Sequence, residues 1–212
     1  MGCTCKLFAI GAMCYGISAL LAYAETRSEW ASEYYEVEFL EGEPDLCDHN
    51  RIGTWYGLWT HGARGCNDDE GDEKYSGDDY PNMKAIEFAR SSTTILGIGC
   101  IVIAGYFVLT GCCGRSRRLE TTAGVALLAG GVYVCFAIVY WGFRFKDRPK
   151  TEVEDLTFSG SRDREVCDIG CKMAGAAGAA AVILGLVVNA IAKDKEGGGP
   201  VAAEDEPPAL DV

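Results

Sequence analysis

Four runs of this sequence are apolar almost without interruption, at about residues 5–24, 93–113, 121–143 and 169–192. A helix needs about 20 such residues to cross ~30 Å of hydrocarbon. None of the runs carries the polar stripe at helical spacing that marks the surface helix of a water-soluble bundle. The last three are nearly free of charge, Lys172 at the start of the fourth being the exception. The chain is therefore expected to be a membrane protein, mainly α: a bundle of four transmembrane helices over residues 1–192, followed by a tail at 193–212.

Charge sets the expected orientation. The link at residues 114–120 is short and carries Arg115, Arg117 and Arg118, which by the positive-inside rule makes it cytoplasmic. Residues 25–92 and 144–168 then lie outside, and both termini inside. The first outer loop holds 17 acidic and 6 basic side chains, so −11 of the net −12 sits there, whereas the second holds 7 and 6. Such a local negative field excludes nucleic acid as a partner and favours cations or basic protein surfaces. The first apolar run can be read in two ways. Ala22-Tyr23-Ala24 would suit a signal peptidase, while the length of the apolar core suits a retained span.

Topology sorts the eleven cysteines. Cys14, Cys100 and Cys135 fall within spans as small apolar fillers. Cys3, Cys5, Cys112 and Cys113 sit at the cytoplasmic edge, where the Cys112–Cys113 pair is either a palmitoylation site or a reduced bystander. Cys47 and Cys66 face the oxidising side, and a disulfide between them would close a loop of about 20 residues, contributing ~3 kcal/mol. Cys167 and Cys171, one helical turn apart, are expected to share a helix face rather than to bridge. With His49 and His61 these cysteines form no zinc-ligand spacing, so no metal and no cofactor is expected.

The first outer loop reads as β-structure. In "SEYYEVEFLE", Tyr35, Val37 and Phe39 alternate with Glu36 and Glu38. In "RIGTWYGLWT", Ile52, Thr54, Tyr56 and Leu58 alternate with Trp55 and Trp59, and "LCDHN" supplies a turn between the two runs. "NDDEGDEKYSGDDYPN" is too polar and glycine-rich for a strand and is expected to be mobile, while "TEVEDLTFS" in the second loop is expected to add a short strand. The result is a small extracellular antiparallel sheet standing on the helix ends. Trp55 and Trp59 either meet the lipid headgroups or fill the sheet's own core, and Trp30, just beyond the first span, is expected at the interface.

Trp30 followed by Gly57-Leu58-Trp59 resembles the W…GLW signature of the superfamily of claudins, peripheral myelin proteins, epithelial membrane proteins and channel gamma subunits. "FARSSTTILGIGCIVIAGYFVLTGCC", with Arg90 ahead of the apolar run, is similar to the claudin second span, and "TTAGVALLAGGVYVCFAIVYW" to the third. One departure is plain: the family's GLWxxC places a cysteine where this chain has Gly62, so Cys47 with Cys66 stands in for the usual disulfide. The resemblance implies that the first run is retained as a span.

Glycine and alanine recur along the spans at Gly97, Gly105, Gly111, Gly124, Gly131, Gly175, Ala179 and Gly185, as close helix packing in lipid requires. The acidic, glycine-rich tail is expected to be disordered and ends Leu210-Asp211-Val212, a form suited to strand addition into a PDZ scaffold. Neither histidine has a nucleophile or metal ligand at recognisable spacing, so no enzyme is expected. Two functions remain. One is a plasma-membrane protein of cell junctions, contacting lipid and family members through its outer loops. There Glu36, Glu38, Asp45 and Asp48 would favour cations along a paracellular barrier or pore. The other is an auxiliary subunit of an ion channel or receptor.

Overall fold

The computed structural model describes residues 2–27, 29–36, 51–64, 69–74, 82–113, 117–146 and 162–194. Four long helices, α1 (Gly2–Thr26), α2 (Met83–Cys113), α3 (Arg117–Lys146) and α4 (Ile169–Asp194), all contain stretches of membrane-spanning length and hydropathy. The chain is a four-span integral membrane protein. Each helix is apolar on its outside as well as its inside. Ile98, Ile101 and Val102 on α2 and Ile183 and Leu186 on α4 are exposed, although Leu7, Ile10, Cys14, Ile17, Leu21 and Ala24 of α1 line the interior at helical spacing. In hydrocarbon the exposed face costs nothing, which is why no polar stripe marked the inner one.

Small residues decide which helices come closest. A Cβ at Gly131 would lie 2.6 Å from the Gly178 carbonyl oxygen, and one at Gly185 would lie 2.7 Å from that of Gly124. Gly124 and Gly131 on α3, and Gly178 and Gly185 on α4, are each seven residues apart, two turns of helix, so both pairs fall on one seam. Gly105 has open space where a side chain would stand and Ala179 is exposed, so neither serves this packing. α2 runs about ten residues further on the sheet side than its apolar run required, starting at Met83 after Asn82, which takes a left-handed φ of 78°.

Five strands form one antiparallel sheet in the order β4-β3-β2-β1-β5. They are β1 (Ala31–Glu36), β2 (Arg51–Tyr56), β3 (Thr60–Arg64), β4 (Asp69–Lys74) and β5 (Arg162–Glu165). Ser32 pairs with Trp55 on one side and with Glu165 on the other, so the segments on either side of the two middle helices are knitted into a single sheet.

One expectation about the sheet is corrected here. β4 occupies part of the stretch expected to be mobile. It is charged throughout except for Gly71, as an edge strand held by backbone bonds can be. The second-loop strand lies at Arg162–Glu165, and the "TEVEDLTFS" segment is outside the described residues, as is the "LCDHN" turn. The expected first strand is present as β1 from Ala31 to Glu36, and the rest of its alternation, with Val37 and Phe39, lies outside the described residues.

Candidate functional site

Where the sheet meets the helices, Trp30 is wholly buried. Its indole Nε1 donates to the Ala24 carbonyl at 2.7 Å, one of the acceptors left open at the end of α1. Its backbone N–H donates to the Tyr56 carbonyl at 2.7 Å and its carbonyl accepts from Asp168 N–H at 2.9 Å. The ring stands edge-on to Trp141 with centroids 5.3 Å apart, and Trp141 stacks on Phe145 at 4.1 Å. Gly170 closes the socket, because a Cβ there would lie 2.5 Å from the Trp30 ring. Trp30 thus binds α1, α3, β2 and the start of α4 together. Its contacts are with the protein rather than with lipid headgroups: its N–H finds an acceptor at a helix end and its ring finds another indole.

Gly57, Leu58 and Trp59 form the bend between β2 and β3. The Gly57 N–H donates to the Thr60 carbonyl at 2.8 Å and Leu58 is wholly buried, while Trp59 is 49 % exposed. The Arg90 guanidinium, on the part of α2 that extends toward the sheet, lies over the Trp59 ring at 4.6 Å from its centroid. Arg90 is therefore within the helix rather than ahead of it, and it ties the β2–β3 bend to α2. The five residues singled out in the sequence, Trp30, Gly57, Leu58, Trp59 and Arg90, all lie at this one junction of sheet and bundle.

Trp55 has a separate role. It pairs with Gly62 across β2 and β3, and its indole lies where any side chain at position 62 would have to stand. The absence of a cysteine at 62 is thus a packing requirement of Trp55.

Cysteine placement also departs from expectation. Cys167 and Cys171 form a disulfide, with Cα atoms 5.2 Å apart. They are not on one helical face, because α4 begins at Ile169 and Cys167 lies in the approach to it. Between them Asp168 accepts from the Ile169 N–H at 2.7 Å and from the Ser32 hydroxyl at 2.9 Å, and Gly170 N–H donates to the Glu29 carbonyl at 3.2 Å. The Val166 carbonyl, just before the bridge, accepts from Trp141 Nε1 at 3.1 Å. The disulfide loop is the wall of the Trp30 socket. No sequence periodicity marks this; only the short Cys-x-x-x-Cys spacing ahead of an apolar run hinted at it.

The remaining sequence candidates are less closely placed. Glu36 ends β1, whereas Glu38, Asp45, Asp48, Cys47 and Cys66 lie outside the described residues, as do Leu210, Asp211 and Val212. Cys112 and Cys113 are the last two residues of α2, at the end of the bundle away from the sheet. No family model matches the chain, and no curated protein matches it.

Proposed function

We propose that this chain is a claudin-like tetraspan protein of cell–cell contacts in the plasma membrane, presenting its sheet to copies on the same and the opposing cell. The observation that carries this reading is the convergence of Trp30, Gly57, Leu58, Trp59 and Arg90 on the sheet–helix junction, the residues on which the family resemblance rests. A sheet tied to the bundle at this junction presents its surface in a defined place, which meeting a copy in register requires. The arginines of residues 114–120 support an orientation with the sheet outside, where residues 25–92 carry a net −11.

In this reading Glu36, Glu38, Asp45 and Asp48 raise the local cation concentration at the contact. Cys112 and Cys113 take acyl chains at the inner membrane edge, and Leu210-Asp211-Val212 engages a PDZ scaffold. The test is expression in adherent cells that make no junctional strands of their own, mixed with untransfected cells. The chain should gather only at borders where both neighbours express it. Even dispersal over the cell surface, together with co-purification of a channel, would defeat adhesion and favour the auxiliary-subunit reading.

A further inference from the structure

The end of the bundle away from the sheet carries a feature that the proposed function does not use. A cavity of about 780 Å³ opens there beside the first turns of α3, and its described walls are Arg118, Thr121, Thr122 and Val125. Thr121 and Thr122 follow Arg118 by three and four residues and Val125 follows by seven, so the four share one face of the helix. The same face continues through Val132, Phe136, Val139 and Phe143, each more than half exposed. A cationic and hydroxyl-bearing head thus passes directly into an apolar track along a single helix.

Among the described residues, the charge on this face is uncompensated. The Arg118 guanidinium has no carboxylate partner among the described residues, and its backbone carbonyl accepts the Thr122 hydroxyl at 2.8 Å. Glu120, the acid in the first turn of α3, is 2 % exposed and stands about 200° round the helix from Arg118, toward the bundle interior. It cannot neutralise Arg118. An arginine left unpaired beside hydroxyls at a membrane boundary suits a phosphate, whose oxygens match the guanidinium fork.

We infer that this face of α3 is a binding site for one anionic phospholipid of the adjacent leaflet. Arg118 holds the headgroup phosphate, Thr122 flanks it, and an acyl chain lies along Val125, Val132 and Phe136. Val125 to Phe136 spans about 16 Å of helix, close to the ~15 Å hydrocarbon depth of a single leaflet. The cavity is of the size that holds a small ligand or a headgroup. The inference is independent of junctional function and of which compartment that leaflet faces.

The test is native mass spectrometry of the full chain released from nanodiscs of phosphatidylcholine containing a minority of phosphatidylserine. The wild type should retain phosphatidylserine in preference to phosphatidylcholine, and Arg118→Gln should lower that preference about fivefold, the effect of removing one basic residue near a charged leaflet. Arg118→Lys should restore part of it, and Arg144→Gln, which removes an exposed arginine at the sheet end of the same helix, should leave it unchanged. Equal retention of both lipids by the wild type would overturn the inference, as would equal losses from the Arg118 and Arg144 variants. Full displacement of the lipid by soluble glycerol phosphate would also overturn it, since the apolar track would then contribute nothing.

Discussion

Replacing each of two tryptophans by alanine separates the junction's structural centre from its exposed rim. Trp30→Ala removes a fully buried indole, its 2.7 Å hydrogen bond to Ala24 and its edge contact with Trp141. Large-to-small changes of this kind cost about 3–5 kcal/mol, of which the hydrogen bond accounts for ~1 and the ring pair for roughly 0.5–1.5. Trp59→Ala removes a ring that is 49 % exposed and whose described partner is the Arg90 guanidinium. At an exposed site that contact contributes about 0.5–1 kcal/mol, so the expected loss is several-fold smaller. Trp30→Phe, which keeps most of the bulk and loses the donor, should fall between the two. The assay is denaturant unfolding of the purified chain in detergent micelles, with hydrogen exchange of the β1 and β2 amides as a local readout. Trp30→Ala should speed exchange in β1, whose first residues follow Trp30 directly, whereas Trp59→Ala should leave it near wild type. Equal losses of stability from the two alanine variants, or unchanged β1 exchange in Trp30→Ala, would refute the assignment of Trp30 as the central tie.

Three further outcomes follow from the packing. Gly62→Val should destabilise the β2–β3 pair by about 1–3 kcal/mol through overpacking against Trp55, and Trp55→Ala in the same chain should recover part of it; additive losses in the double variant would count against the contact. Cys167→Ser with Cys171→Ser should cost about 2 kcal/mol for so short a loop, and reducing the wild type should reproduce the loss; a melting curve insensitive to reductant would count against a structural bridge. Gly178→Leu should separate α3 from α4 and destabilise the bundle by at least 1–3 kcal/mol, while Gly105→Leu, facing open space, should be tolerated; crosslinking of cysteines placed across the α3–α4 seam reads the difference.

The spans were legible because lipid demands long apolar runs, and the alternation from Arg51 to Tyr56 marked a strand, although Leu58, expected to continue it, lies buried in the bend that follows. Other features were hidden for identifiable reasons. β5 reads Arg-Asp-Arg-Glu and β4 is almost all charged; both are edge strands, held by backbone bonds that side-chain patterns do not report. The partners of Trp30 were hidden because the acceptor at Ala24 and the ring of Trp141 become visible only when α1 and α3 are brought together. The Cys167–Cys171 bridge was missed because helical spacing was assumed to extend two residues beyond the true start of α4.

The exchange at position 62 connects these points. A side chain at 62 is excluded by the Trp55 indole lying across the backbone. An aromatic ring over a strand glycine stiffens a pair of strands through packing rather than through a bond. Near the opposite edge of the sheet, Cys167–Cys171 fixes the turn from β5 into α4, and Asp168 between the cysteines receives the Ser32 hydroxyl from β1. The described sheet is therefore fastened to the helices along two independent routes: through Trp59 and Arg90 to α2 on one side, and through β5 and the disulfide loop to α4 on the other. Trp30 stands between them and is bonded to both, accepting from Asp168 at its carbonyl and donating to Tyr56 at its amide. The described ties therefore hold the sheet at the β2–β3 bend, at Trp30 and at its β5 edge, whereas β4 at the other edge is joined through β3.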